Sequence, residues 1–465
     1  YDVDGVISTA IMVEFFNDLG IEVNYIIPNR FEHGYGLSPK ILDSIYDGLI
    51  ITVDNGISAF EAGDICKERG IDLIITDHHT VSDKLPNAYA IVNPKQANCK
   101  FPYKEICGAQ VAWYLCAMIK KELQADINMM KFFDILSLAI VADIMPMRSL
   151  NQTMVKRGLK ELEKSQRPSI VVLREQFKLI KINEEDIGFK IAPLINCAGR
   201  MEDATIALEF ILSYDTFEAN ETCQYLVELN DRRKLEQLNI YEESKLQVED
   251  ADNVVLVASE NWNEGIIGIV ASKLSEKYKK PAFVFSITNG KAKGSSRSEN
   301  IHLYDLINKS KSPLIGFGGH KGAAGMSLES SNLLEFKELL NKNILTMENV
   351  ELDNVQINSI GILPLEQISS ELYSMINSFR PYGLENKMPI FEFRDVTILD
   401  CKKMGKNKEF TKLVVFNGIV KIEVVIFIDF EDVDINTNIS FLATIGKNEF
   451  RGNTSYNLMF KELIS

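Results

Sequence analysis

The chain has 465 residues, of which 46% are hydrophobic and 25% charged, so it is long enough for two or three globular domains and is not an intrinsically disordered protein. Its net charge of −15 excludes a uniformly basic surface for nucleic acid, although a local basic groove is compatible with it. No apolar run reaches the length of a membrane span, and the seven scattered cysteines form no Cys-x-x-Cys pair, which predicts a reducing cytoplasm and no zinc knuckle.

Carboxylates stand at the start of the chain and at the ends of apolar segments. The chain opens with the turn Asp2-Val3-Asp4-Gly5, the apolar run 49–53 ends in Asp54, and the apolar helix 135–142 ends in Asp143. Because ligands of open α/β sheets collect at the carboxyl ends of the strands, we expect these groups to converge. Several carboxylates with one or two histidines are typical of a two-metal hydrolase.

The tripeptide Asp77-His78-His79 follows the apolar run 71–76 and contains two of the five histidines. Adjacent imidazoles beside a carboxylate at the end of a buried strand suit a divalent transition ion. The alternative is a histidine pair on the surface at a strand end, and the tripeptide alone does not decide between the two.

Strands and helices alternate over residues 1–215. Short strands separated by helices predict a parallel sheet with helices on both faces. Asp134 and Asp143 lie on opposite faces of one predicted helix, and Asp143 is predicted to face the site because the helix ends there. The predicted strands are 48–53, 72–76 and 88–92, and the predicted helices are 59–69, 108–123 and 129–143.

A long polar stretch leads to a second α/β unit. Its apolar residues recur at helical spacing, which predicts a connecting helix over 216–250; two ordinary helices are the alternative. The second unit is predicted over 251–348. It contains strands 254–258 and 282–286, helices 265–278 and 333–344, and the glycine-rich segment 316–325.

Residues 352–465 are predicted to form a small β-barrel. Short alternating strands occur at 390–396, 413–416, 421–427 and 440–445. A lysine cluster between the first two is a candidate for tracking a nucleic-acid backbone, with a solvated hairpin tip as the alternative. The cluster contains Lys402, Lys403, Lys406, Lys408 and Lys412.

The acidic and imidazole groups follow the motif order of the DHH phosphoesterase superfamily, and later segments resemble its RecJ branch of exonucleases specific for single-stranded DNA. The resemblance covers nearly the whole chain. It implies a DHH domain (1–215), a DHHA1 substrate-binding domain (251–348) and a C-terminal OB-fold (352–465) that binds single strands. The segments that carry it are 196–200, 261–268, 294–298, 318–325 and 380–383.

The resemblance also implies that the DHH domain is truncated at its N-terminus, since the apolar segment expected before Asp2 is absent. We expect a chain without that segment to fold poorly or to cleave weakly. Equal specific activity of this chain and an N-terminally completed version would refute this expectation.

The resemblance implies a centre for two ions, Mn²⁺ or Mg²⁺, in which the nitrogen ligand favours Mn²⁺. Asp77 would orient a neighbouring group, and His79 would contact the phosphate or the leaving oxygen. The implied metal ligands are Asp2, Asp4, Asp54, His78 and Asp143.

Phosphate and DNA contacts are expected from the later motifs. Ser295 and Arg297 are predicted to lie in a Gly-Ser-Ser-Arg-Ser turn that forms a terminal-phosphate pocket, while a glycine pair would let backbone amides approach a phosphate. Surface ion pairs and a tight packing turn are the alternatives. Asn263 stands where the family commonly has histidine, which leaves that position no proton-transfer role. The candidates are Arg30, Arg200, Ser295, Arg297, Gly318, Gly319 and His320.

The implied function is 5′-to-3′ hydrolysis of single-stranded DNA to mononucleotides in DNA repair and recombination. The implied protein is a cytoplasmic monomer with helicase and single-strand-binding partners and no membrane attachment. Three alternatives are weighed. A DHH oligoribonuclease or 3′-phosphonucleotide phosphatase lacks the C-terminal barrel, a pyrophosphatase lacks the Gly-Gly-His pattern, and a non-catalytic DNA-binding scaffold loses the metal ligands that this chain keeps.

Overall fold

The computed structural model describes residues 1–34, 36–347, 358–405, 410–427, 434–450 and 453–464, apart from the side chains of residues 449, 450 and 453. The chain divides into two compact units, Tyr1–Leu352 and Asp353–Ser465. Within the described ranges, no helix combines the length and the apolar character needed to cross a lipid bilayer.

Three parallel strands form the sheet of the N-terminal region. They are β1 (Leu49–Thr52), β2 (Asp72–Thr76) and β3 (Ala90–Val92), and they lie side by side in that order. Thr52 pairs with Ile75 and Thr76 with Val92, so the carboxyl ends of all three strands meet at one edge. The predicted parallel sheet is confirmed, with β1 and β3 shorter than the predicted strands.

Helices make up most of the remaining N-terminal region. Helix 108–123 has its predicted bounds, whereas the predicted helix 129–143 begins as a 3-10 turn (Met129–Phe132) before α5. The helices are α1 (Val3–Asp18), α2 (Pro39–Leu42), α3 (Phe60–Arg69), α4 (Gly108–Leu123), α5 (Phe133–Ala142), α6 (Ser149–Lys164), α7 (Pro168–Gln176), α8 (Glu184–Asp186), α9 (Ala192–Met201), α10 (Thr205–Leu212) and α11 (Thr216–Lys245).

The predicted turn at the start of the chain is wrong, because the first helix begins inside it. Asp2 is the N-cap of α1, and its carboxylate accepts a hydrogen bond from the Gly5 amide at 3.1 Å. Helix α1 is apolar on nearly every side and packs against α4, α5 and α10 in the core. Each fully buried aliphatic side chain stabilises this placement by roughly 1.5–3 kcal/mol, so the core holds the acidic start of α1 firmly.

Helix α11 is one continuous helix of 30 residues, so the predicted connecting helix is confirmed and the two-helix alternative is wrong. Its first turn is capped by Asp215, which accepts hydrogen bonds from two backbone amides. It packs against α7, α9 and α10 and also against α12 (Ile267–Tyr278) of the second α/β region. The helix therefore joins the two α/β regions through side-chain packing as well as through the chain.

The second α/β region contains a five-stranded sheet. Its central strand, β6 (Lys291–Arg297), includes Ser295 and Arg297, so the predicted turn at 294–298 is wrong. Gly294 is needed here for packing, not for a turn. A Cβ at this position would lie 2.2 Å from the Phe285 ring, which packs on the strand. The elements are β4 (Val255–Ser259), α12, β5 (Ala282–Thr288), β6 (Lys291–Arg297), α13 (Leu303–Lys309), β7 (Leu314–Gly319), β8 (Ala323–Glu329) and α14 (Leu333–Ile344), and the strand order is β4-β5-β6-β8-β7.

The second unit contains a closed five-stranded barrel, as predicted. Parallel pairing of β11 (Lys421–Ile426) with β13 (Asn453–Leu463) closes it, and the other neighbouring strands are antiparallel. The sequence patterns missed β13, whose first half is polar. Lys406 and Lys408 of the predicted lysine cluster lie outside the described residues. The elements are α15 (Ser370–Ser378), β9 (Phe391–Met404), β10 (Phe410–Phe416), β11 (Lys421–Ile426), β12 (Asn438–Phe450) and β13 (Asn453–Leu463).

Candidate active site

Four side chains from four elements converge at the carboxyl edge of the parallel sheet. The Nε2 atom of His78 lies 3.2 Å from Asp54 Oδ1, 3.6 Å from Asp143 Oδ2 and 3.7 Å from Asp4 Oδ2. Two overlapping groups have ligand atoms within 4.8 Å of one another: Asp54 with both histidines, and Asp4 and Asp143 with His78. The carboxylates are contributed by the ends of β1, α1 and α5, so the fold brings together residues far apart in sequence.

Asp54 lies in a strained turn after β1. Its φ of 59° is in the left-handed region, which costs a non-glycine residue on the order of 1 kcal/mol or more. The turn is held by the Thr52 hydroxyl, which donates to the Asn55 carbonyl at 2.7 Å, and by Gly56, where a Cβ would lie 2.8 Å from that hydroxyl. This geometry directs the Asp54 carboxylate toward His78.

Asp77 is fully buried and orients the two histidines. Its Oδ1 accepts hydrogen bonds from the amides of His78 and His79 and lies 2.7 Å from His79 Nδ1, and its Oδ2 accepts from the Ile57 amide. Burial alone would raise the pKa of Asp77, but the bonds to His79 outweigh it and lower that pKa. Burial likewise opposes protonation of His79, yet Asp77 raises the pKa of His79 above its usual value. Asp77 therefore fixes the backbone of both histidines and the ring of His79, and it favours the protonated form of that ring.

Asp4 is held by the start of helix α4. Its two carboxylate oxygens accept hydrogen bonds from the Gly108 amide at 2.6 Å and the Ala109 amide at 2.8 Å. These amides belong to the first turn of a helix, where the backbone dipoles favour a negative charge. A Cβ on Gly108 would lie 2.5 Å from the Cβ of Asp54, so glycine is needed for this close approach.

Asp2 and Asp143 complete the acidic cluster. A Cβ at Gly5 would lie 3.5 Å from Asp54 Oδ2 and 3.7 Å from Asp2 Oδ1, so both carboxylates approach Gly5, and the charge of Asp2 helps to raise the pKa of Asp54 and of Asp143. Asp143 is the C-cap of α5 and faces His78, whereas Asp134 at the other end of α5 pairs with Arg167 at 3.2 Å. Of these two aspartates, the structure therefore brings Asp143 to the cluster.

The charges of this cluster fit a bound cation. Burial and the neighbouring carboxylates raise the pKa of Asp54 well above its usual range, and the same causes raise the pKa of Asp143 to about 8. Burial lowers the pKa of His78, so its imidazole is neutral, as a metal ligand must be. Within the described residues, Asp54 Oδ1 and Asp143 Oδ2 are buried without a hydrogen-bond donor. Divalent cations would supply the missing partners and relieve the repulsion.

The raised pKa of Asp143 predicts a pH-dependent stability in the metal-free protein. A carboxyl group whose folded-state pKa lies above the unfolded value stabilises the fold at low pH, and that contribution is lost as the pH rises through about 8. In EDTA, wild type should therefore lose thermal stability relative to Asp143→Asn as the pH rises from about 5 to about 8.5. A difference in unfolding temperature that does not change with pH would contradict this expectation.

The three predicted arginines, Arg30, Arg200 and Arg297, gather beside the acidic cluster. Burial and the positive charges of Arg30, Arg233 and Arg297 lower the pKa of the Arg200 guanidinium to about 10. The Arg30 guanidinium lies 4.3 Å over the Tyr1 ring, and its buried Nε has no hydrogen-bond partner within the described ranges. Such a cluster of half-buried guanidinium groups favours an anion, and a guanidinium can bind two oxygens of a phosphate at once.

Ser295 and Arg297 lie together on β6 next to the start of α12. Arg297 Nη1 donates to the Ser295 hydroxyl at 3.2 Å and to the Ser296 carbonyl at 2.8 Å. A Cβ on Gly268 would lie 3.0 Å from Ser295 Oγ and 3.2 Å from Arg297 Nη2, so both groups face the first turn of α12. The predicted pairing of Ser295 with Arg297 thus persists on a strand in place of a turn.

The Gly318-Gly319-His320 segment forms the exposed end of the β7–β8 hairpin. The His320 amide donates to the Ala323 carbonyl at 2.8 Å, and a Cβ on Gly319 would lie 2.4 Å from that carbonyl oxygen. The tight-turn interpretation therefore explains Gly319, and phosphate binding by Gly318, Gly319 and His320 stays a prediction.

Sequence reasoning missed several residues that support the site. The Asn93 side chain donates to the His79 carbonyl at 3.0 Å, and the Asn196 side chain accepts from the Val3 amide at 3.1 Å. Arg233 joins the arginine cluster from α11. Asn93 precedes a proline directly after a strand, which is a usable signal. Asn196 begins the segment 196–200 that carries the family resemblance, but its contact with Val3 spans 193 residues and could not be read from that segment. Asn263 accepts a hydrogen bond from the Gly265 amide at 2.8 Å, a structural role that asparagine can fill.

Family models match three parts of the chain. They are the N-terminal domain of the DHH family (residues 1–140), the DHHA1 domain (251–346) and the RecJ OB domain (361–462).

The chain is 33% identical to the single-stranded-DNA-specific exonuclease RecJ of Bacillus subtilis, over 99% of this chain and 60% of the relative. It is 31% identical to the same enzyme of Haemophilus influenzae, over 99% of this chain and 85% of the relative. The chain thus spans about three fifths of the Bacillus protein.

Solved structures show the same architecture. The match to RecJ of Thermus thermophilus in complex with Mn²⁺ covers 100% of this chain and 68% of the Thermus chain. Its TM-score is 0.85 at 24% sequence identity. A manganese-bound exonuclease RecJ matches 75% of this chain and 89% of its own, with a TM-score of 0.66 at 29% identity. The predicted combination of an α/β DHH domain, a second α/β domain and a C-terminal OB-fold is therefore confirmed.

Proposed function

The chain belongs to the RecJ family of DHH-domain proteins, and on that basis we propose that it is a metal-dependent exonuclease that hydrolyses single-stranded DNA from the 5′ end to mononucleotides. The observation that carries the proposal is the cluster of Asp4, Asp54, His78 and Asp143 at the carboxyl edge of the sheet, in which all but the partly exposed Asp143 are buried. We also propose the domain limits 1–215, 216–250, 251–348 and 352–465.

The cluster would hold two ions, Mn²⁺ or Mg²⁺. Asp2, Asp4, Asp54 and Asp143 offer hard oxygen atoms, and His78 offers a neutral nitrogen, a mixture that suits Mn²⁺. Solved relatives contain Mn²⁺ or Mg²⁺. When bound, the two ions supply positive charge that activates water and stabilises the charge developing on the phosphate.

The residues of this chain then orient the reacting groups. His79, whose pKa is raised by Asp77, can donate a hydrogen bond to the phosphate or a proton to the leaving oxygen. Asp77 holds that imidazole by its Nδ1 atom and so fixes the orientation of the ring. The strained turn at Asp54 and the amides of α4 keep two carboxylates fixed, which lowers the cost of reorganisation during the reaction.

The arginine cluster would bind the terminal 5′-phosphate. Arg30, Arg200 and Arg297 come from three different segments, and Ser295 adds a hydroxyl beside Arg297. Charge-assisted bonds from a guanidinium to phosphate are the strongest hydrogen bonds available to the protein. A pocket that binds the terminal phosphate next to the metal centre would direct cleavage to the end of the strand, which explains exonuclease rather than endonuclease activity.

Removal of Arg297 should weaken recognition of the terminal phosphate. We expect Arg297→Ala to raise KM for a 5′-phosphorylated single strand by about 10- to 100-fold, because a hydrogen bond to a charged group is worth roughly 1.5–3 kcal/mol. KM for a 5′-hydroxyl strand should change little. The control is Arg157→Ala, which removes a surface arginine paired with Glu161. Equal loss on both substrates would contradict a terminal-phosphate role.

The assay that tests the proposed function uses a labelled single strand with Mn²⁺. Release of labelled mononucleotides from the 5′ end, without cleavage of duplex DNA, is the expected result. Cleavage of very short RNA alone would favour the oligoribonuclease or 3′-phosphonucleotide phosphatase, and binding without turnover would favour the scaffold. The barrel domain, which matches the RecJ OB domain, supports a longer DNA substrate.

The proposal extends to the setting of the reaction. We place a monomeric enzyme in the cytoplasm, working in DNA repair and recombination on strands that a helicase opens and a single-strand-binding protein covers. All seven cysteines are free thiols, which agrees with a reducing compartment.

A further inference from the structure

We propose that Asn151, together with Gln110, is a positioning residue of the metal centre that fixes the segment after Asp143 to the helix start that holds Asp4. This inference rests on the proposed function. Neither residue touches the acidic cluster, and both side chains are fully buried. Their role follows from the segments that their amide groups join.

Gln110 acts on the Asp4 side of the centre. It lies in the first turn of α4, and its Oε1 accepts a hydrogen bond from the Cys107 amide at 3.0 Å. This bond fixes the start of the helix, whose next two amides, of Gly108 and Ala109, donate to Asp4. A shift in the first turn of α4 therefore moves the groups that hold the Asp4 carboxylate.

Asn151 acts on the Asp143 side. Its Nδ2 donates to the Pro146 carbonyl at 3.0 Å and to the Glu105 carbonyl at 2.7 Å, and its Oδ1 accepts from Gln110 Nε2 at 3.0 Å. Pro146 lies three residues after Asp143. Because Asp143 Oδ2 has no hydrogen-bond donor within the described ranges, the backbone of this segment decides where the carboxylate lies.

The network is satisfied and specific to this junction. Both hydrogens of the Asn151 amide and its oxygen are used, and the bonds reach the segments before α4, inside α4 and after α5. An apolar side chain could fill the same volume without the cost of burying an amide. The amide pair instead fixes the spacing between Asp4 and Asp143, which come from different helices. Mutation of residues that orient metal ligands lowers metal affinity by about 10- to 100-fold.

The test measures Mn²⁺ binding without DNA, by calorimetric titration of the full chain. Asn151→Ala should weaken Mn²⁺ binding by about 10-fold or more, while binding of a 5′-phosphorylated single strand in EDTA stays unchanged. The matched control is Asn341→Ala in α14. Asn341 also makes three hydrogen bonds, to Asn253, Asp252 and Lys337, in the second α/β region. It should leave Mn²⁺ affinity within about twofold of wild type.

A second variant tests the inference if Asn151→Ala does not fold. Gln110→Met keeps most of the volume, removes the bonds to Cys107 and Asn151, and should weaken Mn²⁺ binding in the same direction. Unchanged Mn²⁺ affinity in folded Asn151→Ala or Gln110→Met would overturn this inference and leave the proposed function intact. So would unfolding of both variants while Asn341→Ala folds, because the network would then serve stability. A wild-type chain that binds no Mn²⁺ would overturn the proposed function itself.

Discussion

Asp54→Ala is expected to lower turnover of single-stranded DNA by about 10³-fold or more, because metal-ion catalysis supplies several kcal/mol and each 1.36 kcal/mol is a factor of ten in rate. Asp54 Oδ1 lies 3.2 Å from His78 Nε2 within the acidic cluster. Binding of a 5′-phosphorylated strand in EDTA should persist, since the arginine cluster is untouched. Steady-state cleavage assays and fluorescence anisotropy measure the two effects.

The same substitution should not destabilise the metal-free protein. Burial and neighbouring carboxylates raise the pKa of Asp54, so its ionised form is costly to the fold, and its removal should leave the unfolding temperature in EDTA equal or higher. The matched control is Asp72→Ala, which removes an exposed carboxylate from the neighbouring strand β2. If Asp54→Ala were about as active as Asp72→Ala, Asp54 would not be a ligand of the metal centre.

Gly108→Ala is expected to have the second-largest effect. The added Cβ would lie 2.5 Å from Asp54 Cβ and 2.8 Å from the Asp54 Cα, so backbone must move. The displacement reaches Asp4 as well, because the Gly108 amide holds that carboxylate. We expect turnover to fall by at least about 100-fold and the free energy of unfolding to fall by roughly 1–3 kcal/mol, as for an overpacked core.

Gly188→Ala is the control for this experiment, because a Cβ at Gly188 meets no atom within 4 Å in the described ranges. It should leave both turnover and stability near wild type. Wild-type activity of Gly108→Ala would show that the start of α4 does not fix the two carboxylates.

The convergence of the acidic and imidazole residues could be predicted from the sequence, because it follows from strand order. Asp54 and Asp77-His78-His79 each follow an apolar strand, and parallel neighbours bring their carboxyl ends to one edge. Helix 108–123 could also be predicted with its bounds, because this stretch is too apolar to be exposed.

The supports of the site could not be predicted, because they depend on tertiary contacts. The bond from Gly108 to Asp4 joins residues 104 apart, and Asn151 meets Gln110 across 41 residues. The error at 294–298 has a similar origin. Glycine and serine there indicate a turn, but the Phe285 ring packs on Gly294 and makes a small residue necessary in a central strand.

Anomalous diffraction at the manganese edge from crystals of the full chain soaked in Mn²⁺ tests the central claim most directly. We predict two peaks about 3.5–4 Å apart, bounded by Asp4, Asp54, His78 and Asp143. A map without manganese among these side chains, from crystals of protein that cleaves single-stranded DNA, would contradict the account.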